Sequence, residues 1–384
     1  MTAPRLRIAV LNRHFGKRFG GAEHYSVAVV EELAPHHEVH VFAQDMEEQV
    51  PGVHHHRISR PLVKPRWLNQ LWFALSSWLA TRHGFDTVIS HENIWHGDIQ
   101  TVHVRPFRTG LFHQRQGWRR SLKWLGLFTS PRLLTYWCLE KARMSPRPGR
   151  RIVATSDSVR DEILQAYPAV AGILSTIPPG VRVPSCSPDP RQLRRELGIP
   201  VLPTLALFVG NDYLKKGLPA LLNALVDLPD IHLAVAGQTT HLAICQQQAQ
   251  ALGVASRVHF LGSRQDMSKV YGAADFLVHP TTEDTYAMAV LEAMAHGLPV
   301  IVSGPRHCGI AAELTDGDNA LILQDPYNHF DLQQLIARLQ NTPMLCSALA
   351  AAGRSFARER SWSRTAQCYA AMGTSKSRAA SAKT

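Results

Sequence analysis

Two acidic positions eight residues apart, Asp284 and Glu292, are the residues of this chain best placed to do chemistry. They lie in the stretch 280–303, PTTEDTYAMAVLEAMAHGLPVIVS, with Glu283 beside the first of them. The run Asp275-Phe-Leu-Val-His279 reads as a buried strand. Residues 287–296 are rich in Ala, Met, Leu and Glu, which favour helix, and Gly297-Leu-Pro299 stops it. The unpaired N–H groups and positive dipole end of a helix start suit a phosphate. Carboxylates beside it can accept hydrogen bonds from sugar hydroxyls. The chemistry expected here is recognition of a sugar joined to a diphosphate.

A second group of polar residues follows an apolar strand at 205–209, in Phe208-Val-Gly-Asn-Asp-Tyr-Leu-Lys-Lys-Gly217. A third is Phe19-Gly-Gly-Ala-Glu23, where Gly20 and Gly21 permit close backbone approach and the following helix points its start at the same place. A fourth is His103, which ends the run Ile99-Gln-Thr-Val-His103 and could accept a hydrogen bond from a sugar or orient an acceptor. His14, in the loop before Gly20, is a further candidate of this kind.

The frame around Asp284 resembles the retaining glycosyltransferases of family 4, whose signature is Pro, three residues, Glu, seven residues, then Glu-Ala-Met with a Gly-x-Pro-Val ending. Counting from Pro280 places Asp284 where the pattern has its first Glu, and Glu292 at the second. Glu283 is the adjacent substitute. Thr285-Tyr286-Ala287 stands where the family has Gly-Phe-Gly. In the lysine loop, Lys216 matches the family's Lys, Asn211 occupies the usual Arg position and Lys215 can supply the missing charge. That stretch resembles the lipopolysaccharide core glucosyltransferases. The resemblance covers nearly the whole chain and is weakest between residues 51 and 145.

It implies a retaining, metal-independent glycosyltransferase moving a hexose from a nucleotide-diphosphate sugar such as UDP-glucose to a lipopolysaccharide core or other envelope glycan. Glu292 would hold the ribose, and Asp284 with the backbone of Thr285, Tyr286 and Ala287 the sugar hydroxyls. Lys215 and Lys216, with Asn211 nearby, would hold the diphosphate, and the Gly20-Gly21 loop would face the donor phosphate and the acceptor. Two other activities remain open: a UDP-sugar epimerase of the same fold, and a nonenzymatic, membrane-associated protein that binds sugar nucleotides.

The elements that must position these residues alternate strand and helix, which predicts an α/β chain with parallel sheets. The pattern occurs twice: strands at 6–11 and 39–43 with a helix at 22–34, then strands at 205–209 and 231–236 with a helix at 218–228. The family's GT-B architecture, two Rossmann-like domains facing a cleft, is expected from the resemblance. Its domains are expected at 1–177, plus a returning helix at 360–373, and at 178–359, with a disordered tail at 374–384. Proline-rich segments at 178–179 and 184–190 mark the linker. Neither first turn carries GxGxxG, which disfavours a nicotinamide cofactor, and no GxxxxGK[ST] loop is present.

With 384 residues, 45% hydrophobic and 18% charged, the chain can bury two ordinary cores. Six cysteines without close spacing argue for a reducing compartment. Residues 6–11 are too short for a secretory leader and no apolar run approaches a membrane span, so a cytoplasmic chain, peripheral on the inner face of the membrane, is expected. The net charge of +11 is concentrated: between Arg105 and Arg151 twelve Lys or Arg face one acid, Glu140. Aromatics are interleaved there, and Leu122, Trp124, Leu125, Leu127 and Phe128 adjoin Arg119, Arg120 and Lys123. This favours an anionic membrane surface over nucleic acid as partner.

Two signals are discounted. Asp316-Gly-Asp318 resembles a metal-binding DxD but reads as a turn. His54-His55-His56 has no acidic or Cys neighbour in sequence, and consecutive residues do not easily converge on one ion.

Overall fold

The structure is a computed structural model and describes residues 5–17, 20–62, 64–112, 129–185 and 188–381. The apolar cluster 122–128, on which the membrane expectation rests, lies outside them. The chain forms two compact units, Met1–Gly180 with Trp362–Thr384, and Val181–Ser361.

The first unit is built on a parallel sheet of seven strands among the described residues, in the order β5-β3-β1-β6-β7-β8-β9. These are β1 Arg7–Leu11, β3 Glu38–Ala43, β5 Val53–Arg57, β6 Thr87–Ser90, β7 Ile99–Val102, β8 Arg151–Ala154 and β9 Leu174–Thr176. Two short strands, β2 His14–Phe15 and β4 Asp45–Met46, pair with each other. Central strands of a parallel sheet are covered on both faces and so carry unbroken apolar runs. Ile8, Val10, Val39, Val41 and Ile89 are accordingly buried.

The helix Gly21–Leu33 packs against the returning helix Trp362–Ser381. Trp362, Ala366 and Tyr369 of the latter are buried at helical spacing. The Tyr369 hydroxyl lies 2.8 Å from Thr101 Oγ1 and 3.2 Å from the Tyr25 hydroxyl. A Cβ at Gly373 would come within 2.7 Å of Thr87 Oγ1, so the glycine permits that close approach. The helix continues to Ser381, into the segment whose composition suggests disorder.

The second unit holds a six-stranded parallel sheet, β12-β11-β10-β13-β14-β15. Its strands are β10 Thr204–Val209, β11 Ile231–Ala236, β12 Val258–Gly262, β13 Phe276–His279, β14 Val300–Ser303 and β15 Leu321–Leu323. From β10 the chain winds one way through β11 and β12. From β13 it winds the other way through β14 and β15. The neighbours β10 and β13 therefore flank the topological switch point, where open α/β sheets bind ligands at the carboxyl ends of their strands.

Candidate functional site

The loops that leave β10 and β13 are stitched together at this switch point. Thr282 N donates to Lys215 O at 2.8 Å, and the hydroxyls of Thr281 and Thr282 donate to the same oxygen. Gly217 has a φ of 81°, and a Cβ there would stand 1.9 Å from the Pro280 carbonyl oxygen. Only glycine allows so close a passage. The stitching brings Lys215 and Lys216 beside Glu283 and Asp284 across 68 residues of chain.

Asp284 is the hub. Its Oδ2 accepts from Lys216 Nζ and, at 3.1 Å, from His279 Nε2. Its Oδ1 accepts from the backbone N–H groups of Tyr286 at 3.3 Å and Ala287 at 3.0 Å. Burial alone would raise this carboxyl, yet the His279 hydrogen bond and the Lys216 charge outweigh it and hold it well below the ordinary carboxylate range. His279 is 1% exposed, and burial lowers its imidazole despite Asp284. It is therefore neutral with its proton on Nε2, and its Nδ1 has no hydrogen-bond partner.

Ala287 has a φ of 76°, the left-handed conformation, and caps the helix Met288–Ala295. Among the described residues no other non-glycine shares such a φ. The position where the family pattern has its second Gly thus keeps the glycine-like backbone, with Asp284 Oδ1 holding it in place. Tyr286 is 4% exposed and its ring packs in the core of the unit, so its backbone is what it offers to the loop. Thr285 is half-buried.

Glu283 and Lys215 are the exposed members, with side chains 45% and 62% accessible and 4.0 Å apart. Asp284 is only 14% accessible. Asn211 Oδ1 accepts from Gln238 N at 3.2 Å, which ties the loop after β10 to that after β11. Glu292 lies further along the helix Met288–Ala295 and is half-buried. Its Oε2 accepts from the Tyr271 hydroxyl at 2.7 Å, and burial raises its carboxyl in spite of that bond.

The remaining candidates belong to the first unit. Gly20 and Gly21 open the helix Gly21–Leu33, with His24 N donating to Gly20 O at 2.9 Å. His103 Nε2 lies 2.9 Å from His91 Nδ1, and its ring meets the Tyr25 ring edge-on. Burial pushes His91 down to about 3 and His103 well below its usual value, so the pair is neutral. His14 Nδ1 lies 2.9 Å from Asp45 Oδ2. Asp316-Gly-Asp318 forms a turn, with Gly317 at a φ of 75° and Asp316 Oδ1 accepting from Ile322 N.

His279 and Tyr271, the groups that hold the two acids, are missed by sequence reasoning. His279 reads only as the end of a strand, and Tyr271 has no spacing relation to Glu292 visible without the fold. A histidine closing an apolar strand five residues before an acid is the one signal available.

Two family models match the chain, "Glycosyltransferase Family 4" over residues 19–183 and "Glycosyl transferases group 1" over residues 189–356. The lipopolysaccharide glucosyltransferase WaaG of Escherichia coli is 27% identical over 232 residues, 58% of this chain and 61% of its own length. A D-inositol 3-phosphate glycosyltransferase of Corynebacterium jeikeium is 29% identical over 233 residues, 56% of this chain and 55% of its own. The chain thus spans less than two thirds of these curated relatives. Among solved structures, that of WaaG, a glycosyltransferase involved in lipopolysaccharide biosynthesis, has a TM-score of 0.80 at 22% identity, covering 94% of this chain and 98% of the other. HepE of Anabaena in complex with UDP and glucose has a TM-score of 0.75 at 18% identity, covering 97% and 100%. With matching models across both units and this shared fold, the chain belongs to the family 4 glycosyltransferases of GT-B architecture.

Proposed function

We propose that the chain transfers a hexose, with retention and without a required metal, from a nucleotide-diphosphate sugar to a glycan or glycolipid acceptor. The observation that carries this reading is the cluster of Lys216, Asp284 and His279 beside the left-handed cap at Ala287. An ammonium has three donors, so Lys216 can hold Asp284 and still donate to a diphosphate. Together with Lys215 and the start of the helix Met288–Ala295, it would stabilise charge as the sugar–phosphate bond lengthens toward an oxocarbenium-like transition state. The departing phosphate would take the acceptor proton on the same face.

Asp284, with four internal donors around it, acts in this reading mainly by positioning Lys216 and the Thr285–Ala287 backbone. Glu283, three times more accessible, is the carboxylate that meets the sugar hydroxyls. Glu292 holds the ribose, and the neutral His103 can orient the sugar or the acceptor. UDP-glucose is the donor favoured by likeness to HepE, which was solved with UDP and glucose, and a lipopolysaccharide core acceptor by likeness to WaaG.

Calorimetry with UDP-, GDP- and ADP-sugars tests the donor site. Saturable binding of one nucleotide class, lost in Glu292→Ala, is expected; binding of none overturns the reading. Acceptor-dependent UDP release then separates transfer from epimerisation, which turns over donor without an acceptor.

Peripheral attachment to an anionic inner leaflet has support from an element other than the basic stretch. The helix Arg66–Thr81 turns Trp72, Leu75, Trp78 and Leu79 outward, each more than a third exposed, with Lys64, Arg66 and Arg82 at its ends. Indole rings between cations suit the headgroup level of a bilayer. No helix among the described residues is long and apolar enough to cross a membrane. Flotation with anionic but not neutral liposomes, lost in Trp72→Ser/Trp78→Ser, is the expected result.

A further inference from the structure

The outer edge of the first unit's sheet gathers imidazoles that the donor chemistry does not use. Strand β5 is the edge strand and pairs in parallel with β3, placing His54 beside His40 and His56 beside Phe42. His54 and His56 therefore share the face of Glu38 and His40, while His55 turns to the other face, its Nε2 accepting from Val50 N. The pairing supplies the acidic partner that the sequence neighbourhood of the three histidines lacks, and it corrects the reason for discounting them. His40 Nε2 lies 2.9 Å from Glu38 Oε1, and its ring stacks on that of His54 with centroids 4.5 Å apart. One ligand atom from each of Glu38, His40 and His54 falls within 4.8 Å of the others.

We propose that Glu38, His40 and His54 bind one borderline divalent transition ion, Zn²⁺ foremost, at the sheet edge. Two imidazoles and a carboxylate are a donor set suited to such ions, and three protein ligands leave a fourth position for water. Bonds of about 2.0–2.1 Å in a tetrahedral site require donors about 3.3 Å apart. Glu38 and His40 already meet that spacing, so closure falls to His54, whose exposed side chain can rotate inward. His40 Nδ1 lies 2.9 Å from His56 Nε2, so with Nε2 on the metal His40 donates from Nδ1 to His56. That outer partner fixes the tautomer and orientation a ligating histidine needs.

Arg7 competes for the site. Its Nε donates to Glu38 Oε1 at 3.0 Å, and its charge opposes a cation there. A bound ion would add a metal cross-link between β5 and β3 to the backbone pairing and the His40–His56 contact that already hold this edge strand.

The test is calorimetric titration of the tag-free full chain with ZnCl2, with Co²⁺ absorption as a report of coordination. One equivalent of Zn²⁺ is expected to bind, to raise the melting temperature, and to be outcompeted by neither Mg²⁺ nor Ca²⁺. His54→Asn, at an exposed position that leaves the core intact, should weaken binding about tenfold or more, and His56→Asn should weaken it about tenfold through the outer contact. Arg7→Ala should tighten it severalfold. His232→Asn serves as control, because His232 Nδ1 lies 3.0 Å from His259 Nε2 in the second unit and offers the main rival pair. Absence of saturable binding overturns the proposal. So does binding that survives His54→Asn but is lost in His232→Asn.

Discussion

Replacing Asp284 by Asn tests whether this carboxylate is the organiser of the donor loop. All four groups around it are donors: Lys216 Nζ and His279 Nε2 on one oxygen, and the N–H groups of Tyr286 and Ala287 on the other. An amide must turn its NH2 toward one pair, so two buried donors lose their acceptor whichever way it flips. Each costs about 1–3 kcal/mol, and Lys216, 21% accessible, recovers part of its share from water. The expected loss is about 2–4 kcal/mol at pH 7. The tryptophans, at 67, 72, 78, 95, 118, 124, 137 and 362, all fall in the first unit, so their fluorescence follows that unit while far-UV circular dichroism follows both. With a urea slope of about 2 kcal/mol/M, the circular dichroism midpoint of the second unit should fall by about 1–2 M. The fluorescence midpoint should stay. A carboxyl held low in the folded state binds fewer protons there than in the unfolded chain. Its contribution is fully present above the unfolded pKa of about 4 and is lost as pH falls below it. The gap between wild type and variant should therefore narrow steadily as pH falls below about 4. A circular dichroism midpoint unchanged at pH 7, or a gap that does not narrow in acid, would refute the positioning role.

Other substitutions probe the neighbouring contacts. Tyr271→Phe removes the hydroxyl that steadies the half-buried Glu292 carboxylate and should cost about 1–3 kcal/mol in urea denaturation. Glu292 is raised above its unfolded value, so in the folded state it ionises only as pH rises through that raised value, and the loss should grow over that rise, where the hydroxyl steadies a charged carboxylate. Ala287→Gly should stay within about 1 kcal/mol of wild type, since relief of the left-handed backbone offsets the added freedom of the unfolded chain. Ala287→Val, branched at the same φ of 76°, should lose at least about 1–2 kcal/mol by the same assay. In steady-state kinetics Lys216→Ala should lower kcat more than donor affinity, as expected of a charge that acts on the developing diphosphate.

The sequence carries the layers of this protein more clearly than its contacts, for a physical reason. Strands β1, β3, β10 and β11 are legible because a parallel strand covered on both faces writes its burial as a continuous apolar run. The helix after Asp284 is legible because its composition and its Gly-Leu-Pro stop are local. What meets Asp284 is not local: Lys216 arrives from another strand–helix unit, and His279 reaches it only because β13 ends beneath the loop. The same limit applies to His54, whose partner Glu38 is set by the register of β5 on β3. Spacing alone therefore identifies Asp284 as an acid at a site, and only its surroundings distinguish an acid that touches substrate from one that builds the place where substrate binds. A carboxylate with four internal donors and low exposure is already satisfied. It has more to lose by turning to a sugar than its neighbour Glu283, which stands in solvent at the same mouth. The Asp at this position is then consistent with a short side chain holding Lys216 and the Ala287 cap in one grip, and the loss of any one contact should be felt by the others.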